Sequence, residues 1–405
     1  MPEIILPGHP RSEQSFLMID YKQLKEKFAG LDDGKPRVFR APGRVNLIGE
    51  HTDYNGGFVL PMAIDREAAV AVVVRDDRKI RAHSINLDET AEFDLDNQSE
   101  RKQGFWLNYV EGVARLLERR DVKLKGADLL IWSDVPGGAG LSSSAALEIV
   151  TGLALTKIAG TTVDGKTLAL VGQQAEHEFV GAKVGIMDQF VSANAQKNHA
   201  LLLDCRSLEF ENVPLGTKDV AVVICDTRVK HDLATSGYNT RRAECEEAVW
   251  ILQRFLPEIL QLRDVSVAEF EDYQSELPDV IRRRARHVVT ENARVLQAAK
   301  ALKKNNLNEL GRLMWLSHAS LRDDYEVSCQ ELDLMVEIAD ACPGVLGARM
   351  TGGGFGGSTV NLVLRENLDE FTKKIAVEYG RETKIEPTIL ISEASAGASE
   401  VAFED

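Results

Sequence analysis

The sequence is short of several things, and each shortage removes a class of protein. Its 405 residues hold five cysteines (Cys205, Cys225, Cys245, Cys329 and Cys342), odd in number, widely spaced and without a CxxC pair. That pattern suits reduced thiols in a cytoplasm better than a disulfide framework or a zinc site. Positive charge is also short: 48 Lys plus Arg stand against 63 Asp plus Glu, a net charge of −15. A nucleic-acid partner is not expected, because phosphate contacts need a basic surface. No apolar run approaches the ~18 residues of a membrane helix, and the longest, Ala68 to Val74, is strand-sized. The N-terminus lacks a basic stretch before its short apolar segment and a small-residue cleavage site after it, so no secretory signal is expected. What is present is ordinary globular usage, 44% hydrophobic and 27% charged. At roughly 100 to 200 residues per domain, the length implies two or three domains with ample core.

No internal repeat or low-complexity block organises the chain, so alternating periodicities must. In the first half, strands are expected at Arg37 to Arg40, Phe58 to Ile64, Ala68 to Val74, Ala127 to Ser133 and Ala200 to Leu203. Helical spacing marks Trp106 to Glu118, Ser142 to Ile158 and Leu168 to Val180. A boundary falls near residues 214–220, giving domains 1–218 and 219–405. The second domain opens on the apolar strand Val220 to Cys225 and then turns mainly helical, at Thr240 to Phe255, Asp279 to Lys304, Leu307 to Leu321, Val327 to Asp340 and Leu368 to Tyr379, with a strand at Thr359 to Leu364. Arg282, Arg283, Arg284 and Arg286 cluster on one of these helices and read as a solvated face. The small, acidic tail from Ser392 is expected to fray at its end.

Three segments carry more glycine, serine and charge than turns require. VPGGAGLSSSAAL, Val135 to Leu147, follows a strand and opens a helix. Such a loop exposes backbone N–H groups at a helix start, where they and the helix dipole favour phosphate. A tight turn with a serine cap is the structural alternative, and no Walker A pattern occurs. TGGGFGGS, Thr351 to Ser358, matches GxGxxG, yet a strand follows it where a dinucleotide fingerprint needs a helix. APGRVNLIGEHTDYNGG, Ala41 to Gly57, crowds Arg44, Glu50, His51 and Asp53 together. Carboxylates and an imidazole on one turn suit the hydroxyls of a sugar, whereas a lone histidine with two acids is only part of a metal site. A fourth stretch, Gln173 to Phe190, places Glu176 on a helix and Asp188 in an apolar turn, either as a helix cap or as a general base receiving a hydroxyl proton.

Together these segments resemble the GHMP kinase superfamily and, within it, the galactokinase family. GRVNLIGEHTDYNGG is similar to the galactokinase signature, PGGAGLSSSAAL to the nucleotide-phosphate motif and GARMTGGGFGGS (Gly347 to Ser358) to the third motif, over roughly residues 37–390. The resemblance implies a two-domain α+β GHMP-kinase-like fold with the active site between the domains. It also implies transfer of the ATP γ-phosphate to the C1 hydroxyl of galactose. Gly138, Ala139, Gly140, Leu141, Ser142, Ser143 and Ser144 would wrap the ATP phosphates, Ser144 and Glu176 would hold Mg²⁺, and Trp106 borders the adenine or sits in the core. Asp188 matches the family's base and Arg44 the cation that offsets charge on the transferring phosphoryl group. Arg44, Glu50, His51, Asp53, Gly185, Asp188 and Tyr238 correspond to galactose-binding positions. The expected partners are therefore galactose and MgATP, for a cytoplasmic monomer or weak oligomer with no membrane or nucleic-acid role. The rivals are a kinase of a related sugar, such as N-acetylgalactosamine or L-arabinose, and a non-catalytic galactose sensor, which is expected to damage the serine loop intact here.

Overall fold

The computed structural model describes residues 20–29, 36–97, 102–216, 218–230 and 234–403. The chain forms two compact units, one of Met1–Arg44, Ala63–Ala195 and Ser395–Asp405, the other of Val45–Met62 and Gln196–Ala394. This differs from a single cut near residue 218, and strand pairing is the reason. Arg40 and Phe39 pair with Ser399 and Glu400, which returns the C-terminal residues to the first unit. Phe58 and Val59 pair with Asp204 and Leu203, which places that short segment in the second. The tail expected to fray thus carries an edge strand, and only its last two residues lie outside the described ones.

The first unit is built on a six-stranded sheet in the order Ser399–Glu400, Arg37–Asn46, Pro61–Arg75, Gly126–Ser133, Lys79–Ser84, Glu89–Asp94. The expected strands at 58–64 and 68–74 are Phe58–Val59 and one fifteen-residue strand from Pro61 to Arg75, whose Ala71 faces Leu130 across an antiparallel ladder. Lys79–Ser84 and Glu89–Asp94 were not anticipated, because their alternating charges hide a strand pattern behind polar composition. Helix Ser143–Ile158 is apolar on nearly every side and is buried along most of its length, as a helix surrounded by neighbours must be. The helix expected over 168–180 is instead Gly165–Ala175, capped by Asp164 accepting from Thr167 N at 2.9 Å, and then a π-helical turn at Glu176–Val180. Such turns cluster at functional positions.

The second unit holds an antiparallel sheet in the order Val345–Thr351, Gly356–Leu364, Val220–Lys230, Thr388–Ser392. A three-stranded sheet of Phe58–Val59, His199–Asp204 and Phe210–Pro214 accompanies it. Helices Ala234–Leu252, Asp279–Lys303, Leu307–Asp323, Gln330–Asp340 and Leu368–Thr383 pack in the same unit. Among the described residues, no helix is long and apolar enough to cross a membrane.

The arginine cluster departs from the solvated face expected of it. Arg284 is only 2% exposed; it donates to Glu244 at 2.9 Å, to the Asp324 carbonyl at 2.6 Å and to Glu326 at 2.5 Å. Arg283 also pairs with Glu326, and Arg286 with Asp324. The segment after helix Leu307–Asp323 folds back over these arginines and brings acids that local composition does not reveal. Breaking a fully buried ion pair costs about 3–5 kcal/mol, and here Arg241 and Arg283 remain to balance the two glutamates. Arg284→Ala should therefore lose about 2 kcal/mol, read as a lower urea midpoint at unchanged slope; an unchanged midpoint would show that the network carries no stability.

Candidate active site

In the first unit the glycine loop takes the shape that its composition asks for. Gly138 and Gly140 have φ of 75° and 72°, and Ser142, at the cap position of helix Ser143–Ile158, is left-handed at φ 63°. Ser142 does not cap that helix; its hydroxyl donates to Asp188 Oδ2 at 2.5 Å. The helix start is left to whatever anion the loop meets. Ala139 and Leu141 are buried, and Ser143 and Ser144 are half-buried on the first turn.

Arg44 ties this loop to the acid. Its backbone N–H donates to the Leu141 carbonyl at 3.1 Å and Nη1 to the Gly140 carbonyl at 2.6 Å. Nε and Nη2 reach Asp188 Oδ1 and Oδ2 at 2.7 and 2.6 Å, a fork-on-carboxylate pair. Close approach requires Gly43, since a Cβ there would lie 2.6 Å from the Leu141 oxygen. The Arg44 side chain is 6% exposed and that of Asp188 24%, so the acid keeps an open side. Asp188 is no helix cap: it lies in the first turn of Met187–Asn194, whose cap position is Ile186. Gly185, just before it, is buried.

Glu176 is 3% exposed at the start of the π turn, and Gln189 Nε2 donates to it at 3.0 Å and to Glu148 at 2.9 Å. Burial first, then the neighbouring Glu176, pushes the Glu148 carboxyl well above the usual range. Neither Glu148 nor Gln189 was singled out from sequence, although an acid inside the run AALEIV is a visible oddity. Ser144 and Glu176 are hard oxygen donors of the kind Mg²⁺ prefers, and Mg²⁺ usually takes one or two protein ligands besides phosphate and water. The donor set therefore fits that ion. Among the described residues no group of three or more His, Cys, Asp or Glu is arranged to hold a metal by itself. Trp106 is a core tryptophan, 4% exposed, with its indole N–H donated to Glu89 at 3.1 Å.

In the second unit the signature turn is knotted by buried polar groups. Gly49 has φ 106°, and a Cβ there would meet Val295 at 2.8 Å and the Phe58 oxygen at 2.9 Å. Glu50, 2% exposed, accepts from Gly352 N at 2.6 Å, Thr351 Oγ1 at 3.1 Å and the Asn46 side chain, and forms an ion pair with Arg349 Nη2 at 3.1 Å. One carboxylate thus ties the first motif to the third. Asp53 is half-buried and accepts from Tyr54 N at 2.9 Å. The Tyr238 ring lies 5.6 Å from His51 and 5.0 Å from Tyr54, centre to centre. Burial above all, then the nearby His287, pushes His51 down to about 3; burial takes His287 to about 4. Tyr54, Tyr325, His287 and Arg349 belong to this cluster, yet no local pattern in the sequence points to the last three.

Fold and site together define a GHMP kinase: models of the GHMP kinase N-terminal and C-terminal domains match residues 108–196 and 298–379. The structure of Methanococcus jannaschii mevalonate kinase, 19% identical over 90% of this chain and 100% of that one, shares this fold at a TM-score of 0.63. The galactokinase galactose-binding signature matches residues 25–74. Galactokinase of Chloroflexus aggregans is 52% identical over 90% of this chain and 94% of its own, and that of Roseiflexus sp. 48% over 95% and 98%. Lactococcus lactis galactokinase, solved in complex with galactose, is 38% identical and superposes at a TM-score of 0.90 over 94% of this chain and 100% of that one. The chain belongs to the galactokinase family, whose members are ATP-dependent sugar kinases.

The buried histidines give the protein a pH signature. Unfolded, both bind protons below about 6.5; folded, they do so only near pH 3 and 4. The unfolded state therefore binds more protons in that window, and stability falls as pH drops from 6.5 towards 4, by about 1.4 kcal/mol per pH unit per histidine. Thermal midpoints measured from pH 7.5 to 5 should decline, and His287→Gln should flatten the decline. An equal slope in that variant would count against a neutral His287.

Proposed function

We propose that the protein transfers the γ-phosphoryl group of ATP to the C1 hydroxyl of galactose, with Asp188 as base. The observation that carries this reading is the Asp188 carboxylate gripped by Arg44, which also holds the carbonyls of the glycine loop. Asp188 Oδ1 carries one bond, from Arg44 Nε, and has a lone pair to accept the C1 hydroxyl proton. The freed oxygen forms the new O–P bond as the bridging bond to the β-phosphate breaks and ADP leaves. Phosphoryl transfer asks mainly for positioning and charge stabilisation. Arg44 offsets charge on the moving phosphoryl group. The backbone from Gly138 to Ser144 and the uncapped helix start bind the ATP phosphates. Ser144 and Glu176 would hold Mg²⁺, whose charge offsets that of the phosphates.

Glu50, His51, Asp53 and Tyr238, with the Gly185 backbone, Arg44 and Asp188, are assigned to the galactose hydroxyls. The galactose bound to the Lactococcus lactis relative supports that assignment. Glu50 contributes chiefly by holding the turn, since three donors and the Arg349 guanidinium already occupy its oxygens. All five cysteines are free of disulfides, which supports a reducing, cytoplasmic setting.

ADP release with MgATP, measured over galactose, N-acetylgalactosamine, glucose and L-arabinose, should show strong turnover on galactose alone. Preference for another sugar would keep the chemistry and change the substrate; bound ATP and galactose without turnover would mark a sensor. Asp188→Asn should fold and bind ATP while turning over about 10²-fold more slowly or worse, and near-normal turnover would remove it as base. Glu176→Gln should raise the Mg²⁺ concentration needed for half-maximal rate, with Mn²⁺ binding to the ADP complex, followed by electron paramagnetic resonance, weakened in parallel. Unchanged Mn²⁺ binding would take Glu176 out of the ligand set.

A further inference from the structure

Behind His51 lies a line of polar groups that the transfer chemistry does not use. His51 Nδ1 is 2.9 Å from the Tyr54 hydroxyl, which is 2.7 Å from the Tyr325 hydroxyl, which is 3.2 Å from Cys245 Sγ. Tyr325 and Cys245 are 0% and 1% exposed. The other ring nitrogen of His51, Nε2, is buried without a hydrogen-bond partner among the described residues, and the residue is held left-handed at φ 62°. Strained backbone of this kind persists only where surroundings over-determine it. Those surroundings are visible: the Tyr325 ring is 4.9 Å from His51 and 4.5 Å from His287, and Arg241 Nε donates to the Tyr325 carbonyl at 2.6 Å.

The chemistry of the line gives it a direction. Each hydroxyl has two partners in the line, so protons must run one way along it. An imidazole nitrogen is a strong acceptor and a thiol sulfur a weak one. The favoured order therefore runs from the Cys245 thiol to Tyr325, to Tyr54 and into His51 Nδ1, which leaves the ring proton on Nε2.

We propose that Tyr54 and Tyr325 are positioning residues that hold His51 in the Nε2–H tautomer, so that it meets the sugar as a neutral hydrogen-bond donor. The proposal rests on the assignment of His51 to galactose binding. It makes His51 selective for an oxygen acceptor at one position of the sugar, and neutral at every pH at which the enzyme would work.

The test combines binding with a spectroscopic signature. In ¹⁵N-histidine-labelled protein, His51→Asn identifies the His51 signals, and asparagine tolerates the left-handed backbone. The long-range ¹H–¹⁵N spectrum should then show Nε2 protonated and Nδ1 bare. Tyr54→Phe should mix the two tautomers and weaken galactose binding about five- to twentyfold, the scale of one oriented hydrogen bond. Tyr325→Phe should do the same to a smaller degree, and the loss should fall on KM for galactose and not on KM for ATP. A bare Nε2 in the unaltered protein, or two phenylalanine variants with unchanged tautomer and affinity, would overturn the relay. If His51→Asn itself binds galactose normally, the sugar-binding role of His51 fails; if it loses binding while the phenylalanine variants do not, only the relay fails.

Discussion

The arrangement in the first unit depends on one guanidinium. Arg44 sits on the strand Arg37–Asn46 and spends its donors on Asp188 and on the carbonyls of Gly140 and Leu141. A glycine-rich loop with several positive-φ residues cannot make regular backbone pairs, so it needs an outside partner to have one shape. Arg44 is that partner, and Gly43 lets the strand come close enough. As a source of stability a buried ion pair is a poor bargain against apolar packing. Its worth here is positional: Asp188, the glycine loop and the positive charge beside them are fixed by the same side chain.

The second unit solves a similar problem with the opposite charge. Glu50 is a buried carboxylate hydrogen-bonded by a backbone N–H, a hydroxyl and a carboxamide and ion-paired with Arg349, itself 0% exposed. Glu291, fully buried, accepts from Gly49 N at 3.0 Å and from Ser317 at 2.6 Å. Two acids thereby stand in for the regular hydrogen bonds that a turn with left-handed Gly49 and His51 gives up. The strain of that turn is balanced locally, which lets His51 and Asp53 keep orientations that an exposed loop would lose.

Much of the site was legible because its motifs are contiguous: glycines mark positive φ, serines mark a helix start, and the crowding of Arg44, Glu50, His51 and Asp53 marks a polar turn. What escaped was anything joined across long sequence gaps. Glu50 bonds Gly352, 302 positions away, and neither residue's neighbours announce the other. Tyr325 follows LRDD in a stretch that reads as an exposed helix end, yet it is wholly buried. Arg284 reads as surface because charge is usually solvated, and only the returning acids of residues 324–326 make its burial affordable. Strands Lys79–Ser84 and Val345–Thr351 were hidden for a related cause, since pairing partners give them their stability and local propensity does not.

Net charge adds a constraint that local geometry must answer. A chain at −15 repels the polyphosphate it has to bind, and that repulsion is spread over the surface and screened beyond about a Debye length, roughly 8 Å in physiological salt. Inside a shielded site the nearest charges decide. Arg44 is nearly buried, so its field is little screened, and a helix start whose serine has been diverted to Asp188 adds its own positive end. As a carboxylate, Asp188 cancels part of that field. With Asp188 as the base we propose, taking the proton would remove the acid's negative charge and leave Arg44 freer to act on the phosphoryl group at the step when charge builds there. In that proposal the ion pair is a device whose electrostatic effect grows with the progress of the reaction, which a fixed cation alone would not provide.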